Sequence, residues 1–233
     1  MGKGAPLRWI ENRWLARHLH GRGIEIGALW RRFPVPRNAR VWYIDRSGLD
    51  GLERQYPEVN GKIVCPDLLA DATGLPFASA SLDFLIASHV LEHLPFPLMA
   101  LRVWYDALAP GGVLLLKVPD KRYTFDSRRS RTPLAHLVAE YEHPELFDWR
   151  SHYAEFVENV HGRQPMEPEL SQAAADLQAA KFNIHYHAWI DADLREILDY
   201  TRQVWNFDWH TVISWNAHFY RKETVALLTR ECQ

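Results

Sequence analysis

Three acidic residues in the first third of the chain lie where a nucleotide-like ligand is bound in many α/β proteins. Glu25 lies inside the apolar segment 23–28, Asp45 ends the apolar segment 41–44, and Asp71 lies in a turn-rich stretch. A carboxylate at the end of a strand can accept hydrogen bonds from two ribose hydroxyls, each worth about 1.5–3 kcal/mol when charge-assisted. The simpler alternative for each acid is a turn-forming, locally paired or solvated side chain.

Histidines supply the groups that could act as a general base, because imidazole has a pKa near neutral pH. Those that qualify are His89, His93, His152, His185 and His187. A structural role, with the imidazole bonded to the backbone, is the alternative for His89 and His93. We take His89, His187 and His185 as the catalytic candidates.

A metal site is a second interpretation of His185-Tyr186-His187. Alternate residues of an extended segment point to the same side, so the two imidazoles could converge on one ion. A metal ion would need further ligands, and no cysteine or acidic residue is found nearby at a helpful spacing. We therefore predict no metal site, and we expect these histidines to line a pocket or to pack.

A basic run spans residues 121–131 and contains the aromatic residues Tyr123 and Phe125. It directly follows a predicted strand, so it could bind an anionic substrate, with Tyr123 and Arg128 among the contacts. Similar runs bind single-stranded nucleic acid, but the net charge of −2 for the whole chain argues against that class of partner. A solvated surface segment is the remaining alternative.

The predicted elements that would position these residues alternate between strands and helices. Strands are expected at 23–28, 41–44, 62–66, 82–87 and 112–118, and a final antiparallel pair at 211–215 and 223–229. Helices are expected at 7–19, 49–55 and 97–108, at three places between 133 and 182, and from a capping Asp191 to about Arg202. This order predicts a Rossmann-like, doubly wound α/β sheet that is mostly parallel, with an antiparallel C-terminal strand.

One long segment interrupts the alternation. Residues 121–183 contain no convincing strand, and a connection of this length is typical of a substrate cap. We expect a single domain over residues 1–233 with a helical cap insertion at about 121–183.

The composition is ordinary for a globular protein of 233 residues, with 47% hydrophobic and 24% charged residues. Two distant cysteines, Cys65 and Cys232, favour a reducing, cytoplasmic setting. Residues 1–8 lack the apolar core of a signal peptide, and no apolar run approaches the ~20 residues of a membrane helix. We predict no membrane partner.

In ordered series, the motifs resemble those of the class I S-adenosylmethionine-dependent methyltransferases. The resemblance covers residues 21–120 and rests on Glu25-Ile26-Gly27, Tyr43-Ile44-Asp45, Asp71-Ala72-Thr73-Gly74-Leu75-Pro76-Phe77, His89-Val90-Leu91-Glu92-His93 and Leu108-Ala109-Pro110-Gly111-Gly112. It implies S-adenosylmethionine as cofactor. The resemblance places Glu25 and Gly27 at the methionine end, Asp45 at the ribose, Asp71 and Ala72 at the adenine, and His89 beside the sulfonium. Further cofactor contacts are expected from Ala28, Arg46 and Ser88.

The turn after the first strand departs from the family pattern. The family usually has a second glycine where this chain has Leu29, followed by Trp30. A nicotinamide dinucleotide site would need a Gly-x-Gly-x-x-Gly run, which is missing after Gly23. The departure motivates a non-catalytic binding or assembly protein on the same fold as the alternative function, and a different reaction of the sulfonium as a third.

The resemblance predicts transfer of a methyl group to oxygen or nitrogen of a small-molecule acceptor, such as a sugar or natural-product intermediate. A hydroxyl acceptor benefits from a base, whereas an amine needs little beyond alignment. Candidate acceptor contacts are Tyr123, Arg128, His152, Tyr153 and His187. The sequence leaves a homodimer open.

Overall fold

The computed structural model describes residues 5–59, 61–160, 168–215 and 222–231. Its helices are α1 (Ala5–Ala16), α2 (Leu49–Gln55), α3 (Pro97–Ala107), α4 (Leu134–Glu142), α5 (Trp149–Val160), α6 (Glu169–Ala179) and α7 (Asp191–Trp205). Its strands are β1 (Arg22–Ile26), β2 (Arg40–Asp45), β3 (Leu68–Leu69), β4 (Leu82–Ser88), β5 (Leu108–Pro119), β6 (Trp209–Trp215) and β7 (Glu223–Arg230).

The strands form one seven-stranded sheet in the order β3-β2-β1-β4-β5-β7-β6. Neighbouring strands from β3 to β5 are parallel, whereas β7 runs antiparallel to both β5 and β6. The predicted doubly wound fold with an antiparallel C-terminal strand is therefore confirmed. The reversal of the strand order at β1 and β4 creates a crevice at their carboxyl ends, where such folds bind ligands.

The central strand β4 is apolar because both of its faces are covered. On one face of the sheet, Phe84 and Ile86 pack with Leu15, which lies in α1, and with Leu19, which follows α1. Leu85 and Ala87 pack on the other face, with side chains of α3 and α7. This two-sided burial explains why the segment shows no alternation of apolar and polar residues.

Three local predictions are wrong. The third strand is the two-residue β3 at Leu68–Leu69, because Val64 donates its N–H to the Leu29 carbonyl at 2.6 Å and so joins the turn after β1. Leu108 begins β5 instead of extending α3. Asp191 is the first residue of α7, and the carboxylate of Asp193 accepts the N–H of Ile190 at 2.9 Å.

The segment between β5 and α7 contains α4, α5 and α6, joined by 3-10 turns, and no named strand lies in its described residues. The chain that returns from it lies beside the residues that follow β4, where the N–H of Tyr186 donates to the carbonyl of Glu92 at 2.8 Å. The helices in the described ranges lack the length and apolar character that a membrane-crossing helix needs. Cys65 is exposed and unpaired, and Cys232 lies outside the described residues.

Candidate active site

The turn after β1 keeps the backbone shape of a glycine-rich turn. Gly27 has a φ of 64° and Leu29 a φ of 46°, both in the left-handed region that favours glycine. A Cβ atom on Gly27 would lie 3.1 Å from Cγ2 of Val90, so the chain passes close to the loop that follows β4. Ala28 accepts the N–H of Arg31 at 2.9 Å. Leu29 therefore adopts the left-handed backbone conformation that favours glycine.

Glu25 fixes the loop that follows this turn. Its carboxylate is buried, and both oxygens lie 3.0 Å from the N–H of Phe33, which donates to them. Burial raises the pKa of Glu25 to about 7, although the Phe33 hydrogen bond and the nearby Arg32 charge lower it. A cationic group placed beside this carboxylate would favour its ionised form.

A cavity of about 760 Å³ opens beside Glu25 and Ser88. Its other walls come from α1, the segments 30–34 and 62–64, and Lys117. The ring of Trp30 forms part of the wall, with the guanidinium of Arg31 lying 3.8 Å from its centroid. Trp30 therefore lines the cavity at the ends of β1 and β4 and leaves it open.

The two acids expected at the nucleoside differ in their surroundings. Asp45 is half-buried at the end of β2 and accepts the N–H of Ser47 at 3.2 Å; burial raises its pKa. The exposed Asp71 accepts the N–H of Thr73 at 2.7 Å, which is the turn-forming arrangement. Ala72 is buried. Arg46 is exposed beside Asp45.

His89 is held by two acids at the end of β4. Its Nε2 lies 2.5 Å from Oε2 of Glu223, and its Nδ1 lies 3.6 Å from Oε1 of Glu92. Removal from water lowers the pKa of His89, but the hydrogen bond to Glu223 and the nearby carboxylate of Glu92 outweigh this and raise it to about 9. The imidazole is therefore protonated at neutral pH and cannot accept a proton in that state.

Lys117 extends this ion-pair network. It is buried at the end of β5, with its Nζ 2.8 Å from Oε1 of Glu223 and 3.3 Å from Oε1 of Glu11. Sequence reasoning did not select Lys117 or Glu223. The signal for Lys117 was a lysine inside the otherwise apolar run 113–118, since a buried charge requires a partner.

His185 belongs to a polar cluster beneath the insertion. Its Nδ1 lies 2.6 Å from Oδ2 of Asp126, and one of its ring nitrogens lies within 4.8 Å of side-chain atoms of Glu92 and His93. The Nδ1 of His93 hydrogen-bonds to the carbonyl of Ile184 at 2.8 Å. The cluster joins the end of β4 to the returning chain.

His187 faces a different cluster from His185. It lies with His152, Glu140 and His136, and burial lowers its pKa to about 3. The backbone bends at Tyr186, between the two histidines. The expectation that His185 and His187 point to the same side is therefore wrong, because that rule holds only for an extended strand.

The remaining predicted contacts lie apart from one another. Tyr153 is buried in α5 and donates its hydroxyl to the carbonyl of Phe182 at 2.9 Å. Tyr123 is half-buried in a 3-10 turn after β5. Arg128 is exposed, whereas the neighbouring Arg129 is buried.

Arg129 is the residue of the basic run that organises the insertion. Its guanidinium donates to Asp126 at 3.0 Å, to Glu155 at 2.9 Å, and to the carbonyls of His185 at 2.7 Å and Tyr186 at 3.0 Å. The sequence does not predict this role, because Arg128 and Arg129 are adjacent residues of the same type. They differ only in which way their side chains point, and the fold decides that.

A protein-family model matches this chain. The model is described as a methyltransferase domain and matches residues 20–159, which is more than half of the chain. A search of curated proteins by sequence found no match.

Solved structures share the fold at low identity. A methyltransferase from Mesorhizobium loti that depends on S-adenosylmethionine has 14% identity and a TM-score of 0.54, covering 98% of this chain and 100% of its own. A protein from Rhodobacter sphaeroides described as a putative Zn-dependent alcohol dehydrogenase has 15% identity and a TM-score of 0.58, covering 96% and 90%. The CurJ carbon methyltransferase has 15% identity and a TM-score of 0.47, and the chain spans 50% of its length.

Proposed function

We propose that this chain, which belongs to the methyltransferase domain family and is an S-adenosylmethionine-dependent methyltransferase, methylates a small molecule on oxygen or nitrogen. The acceptor, such as a sugar or natural-product intermediate, would be held beneath the insertion. The observation that carries this proposal is the buried pair of His185 and Asp126, 2.6 Å apart. An imidazole positioned by a carboxylate is the kind of base from which a hydroxyl acceptor benefits.

The cavity that Glu25 and Ser88 line supports a cofactor site at the ends of β1 and β4, and the close backbone turn at Gly27 directly follows β1. Glu25 would pair with the α-ammonium group, Asp45 would accept from the ribose hydroxyls, and Asp71 would accept from the adenine amino group. Further contacts would come from Ala28, Arg46, Ala72, Ser88 and His89. When bound, S-adenosylmethionine supplies an electrophilic methyl group on its sulfonium.

Asp126 would orient His185 for proton transfer. With Nδ1–H donating to the Asp126 carboxylate, Nε2 of His185 carries the lone pair. That nitrogen would remove the proton of a hydroxyl acceptor, while an amine acceptor would need only alignment. His89 would then act as a positioning residue at the end of β4, because its imidazole is already protonated.

Activity with a hydroxyl acceptor tests the base. Methyl transfer from labelled S-adenosylmethionine would be screened against hydroxyl- and amine-bearing small molecules, with product masses confirming the addition of one methyl group. For a hydroxyl acceptor, His185→Gln and Asp126→Asn should lower kcat by about 10²–10⁴-fold, with little change in affinity for S-adenosylhomocysteine. The matched control is His210→Gln on β6, where the histidine is exposed.

Unchanged kcat in His185→Gln with a hydroxyl acceptor would remove His185 from the mechanism. A loss confined to cofactor affinity would reassign it to binding. Products that lack the added methyl group would favour another reaction of the sulfonium. The single-domain organisation, the homodimer and the cytoplasmic location stay predictions.

A further inference from the structure

Four side chains from α4, α5 and the segment that leads to α7 converge at one point. His136 and Glu140 lie one turn apart on α4, His152 lies on α5, and His187 lies in the segment that leads to α7. Each offers one ligand atom, and these four atoms all lie within 4.8 Å of one another. The i, i+4 spacing puts the two α4 residues on the same helix face.

Hydrogen bonding accounts for only part of this cluster. Oε1 of Glu140 lies 2.8 Å from Nε2 of His136 and 2.9 Å from Nε2 of His152. Oε2 of Glu140 and Nδ1 of His187 are both buried without a hydrogen-bond partner among the described residues. Nε2 of His187 lies 3.6 Å from Oε2 of Glu140, beyond hydrogen-bond range, and hydrogen-bonds instead to the carbonyl of Pro95 at 3.3 Å. A buried polar atom without a hydrogen bond costs free energy. Oε2 of Glu140 and Nδ1 of His187 therefore point to a missing ligand.

The donor set suits a divalent transition-metal ion. Three imidazoles and one carboxylate are ligands of Zn²⁺, which binds nitrogen and oxygen at about 2.0–2.2 Å in tetrahedral geometry. Ligand atoms around such an ion lie about 3.3 Å apart, so the spacing seen here requires only small side-chain movements. One carboxylate also offsets half of the charge of the ion.

Neighbouring groups hold the ligands and leave a path for the ion. Nδ1 of His152 lies 3.1 Å from the carbonyl of Tyr186, and the ring stacks on Phe147. Such contacts to the second ring nitrogen orient metal-binding histidines. His136 is 45% exposed in its side chain, and a cavity of about 410 Å³ reaches His136, Glu140 and His152. An ion can therefore enter from solvent.

We propose that His136, Glu140, His152 and His187 bind one Zn²⁺ ion. The ion ties α4 and α5 to the segment that leads into α7. This site is separate from the His185–Asp126 pair, and it assigns His187 to metal binding instead of proton transfer.

Metal titration of the tag-free, full-length chain tests the proposal. After chelator dialysis, the protein would compete with a chromophoric chelator for Zn²⁺, and Co²⁺ would report coordination geometry through its visible absorption. We expect one tight equivalent and an intense tetrahedral Co²⁺ spectrum. His136→Ala and His187→Gln should each weaken binding by more than the ~10- to 100-fold that loss of a second-shell partner costs.

The matched control is His143→Ala, because His143 lines the same cavity without belonging to the cluster. It should retain the tight site. The partly exposed His136 gives a variant that keeps the buried ligands, and circular dichroism would verify its fold. Thermal unfolding should move to higher temperature with Zn²⁺ in the wild type but not in His136→Ala.

The proposal is overturned if His136→Ala binds Zn²⁺ as tightly as the wild type. It is also overturned if the wild type shows no tight equivalent, or if His143→Ala loses binding to the same extent.

Discussion

Nε2 of His89 lies 2.5 Å from Oε2 of Glu223, although the two residues are 134 positions apart. His89 follows β4, and Glu223 begins β7, which runs antiparallel on the far side of β5. The antiparallel direction brings the start of β7 to the same edge as the ends of the parallel strands. The C-terminal strand therefore supplies a charged group to the edge where the parallel strands end.

The His89 ion pair predicts a pH-dependent stability. The pKa of folded His89 is about 9, above the ordinary value of about 6.5, so its stabilisation is complete below pH 6.5 and is lost as the pH rises through 9. Urea unfolding should give a free energy of unfolding that falls over this interval. His89→Asn should flatten the fall, whereas His20→Gln, at an exposed histidine, should leave it unchanged. Equal slopes in wild type and His89→Asn would contradict the assignment.

Asp45→Ala should weaken binding of S-adenosylhomocysteine by about 10- to 100-fold, because one or two charge-assisted hydrogen bonds to the ribose are lost. Isothermal titration calorimetry measures the change. Asp50→Ala, at an exposed acid in α2, is the control and should bind like the wild type. An unaltered affinity in Asp45→Ala would remove Asp45 from the cofactor site.

Glu25 should make cofactor binding depend on pH. Its pKa in the free protein is about 7, and the α-ammonium group of the cofactor favours the ionised carboxylate. Binding below pH 7 then requires loss of a proton, so affinity for S-adenosylhomocysteine should fall as the pH decreases, by up to about tenfold per unit. Glu25→Gln should remove that dependence. Titrations that run parallel in the two proteins would exclude Glu25 as the partner.

Because the backbone at Leu29 is left-handed, glycine at this position should give a more stable protein than alanine does. Replacing an alanine by glycine within a helix or strand ordinarily lowers the free energy of unfolding by about 0.5–1 kcal/mol. A non-glycine residue at positive φ, however, carries about 1–2 kcal/mol of strain. With a φ of 46° at Leu29, Leu29→Gly should be more stable to urea than Leu29→Ala by about 1 kcal/mol. Ala135→Gly, on the exposed face of α4, should instead lose stability. A more stable Leu29→Ala would show that the turn has another shape.

Arg129 and Arg128 form a natural pair for testing what holds the insertion in place. Arg129→Ala removes the charged partner of Asp126 and the side-chain donor of two backbone carbonyls, and should cost about 3–5 kcal/mol in free energy of unfolding. Arg128→Ala changes an exposed side chain and should stay within about 0.5 kcal/mol of the wild type. Similar losses in both variants would mean that the buried guanidinium does not hold the segment.

The alternation of strands and helices was predictable because it depends on local periodicity. The apolar run 82–87 indicated a central strand, and the structure places β4 fourth of seven. The third strand was misplaced because Val64 bonds to the Leu29 turn, a contact that no local pattern encodes.

The sequence by itself determined the fold class, the strand-end acids and the glycine turn, since each follows from residue type and short spacing. Only the tertiary structure decided which side chains meet. His185 joins Asp126, whereas His187 joins Glu140 and His152, because one bend at Tyr186 turns two neighbouring imidazoles in different directions. Side-chain direction in an irregular segment depends on distant packing, and this is why the two clusters could not be derived from spacing.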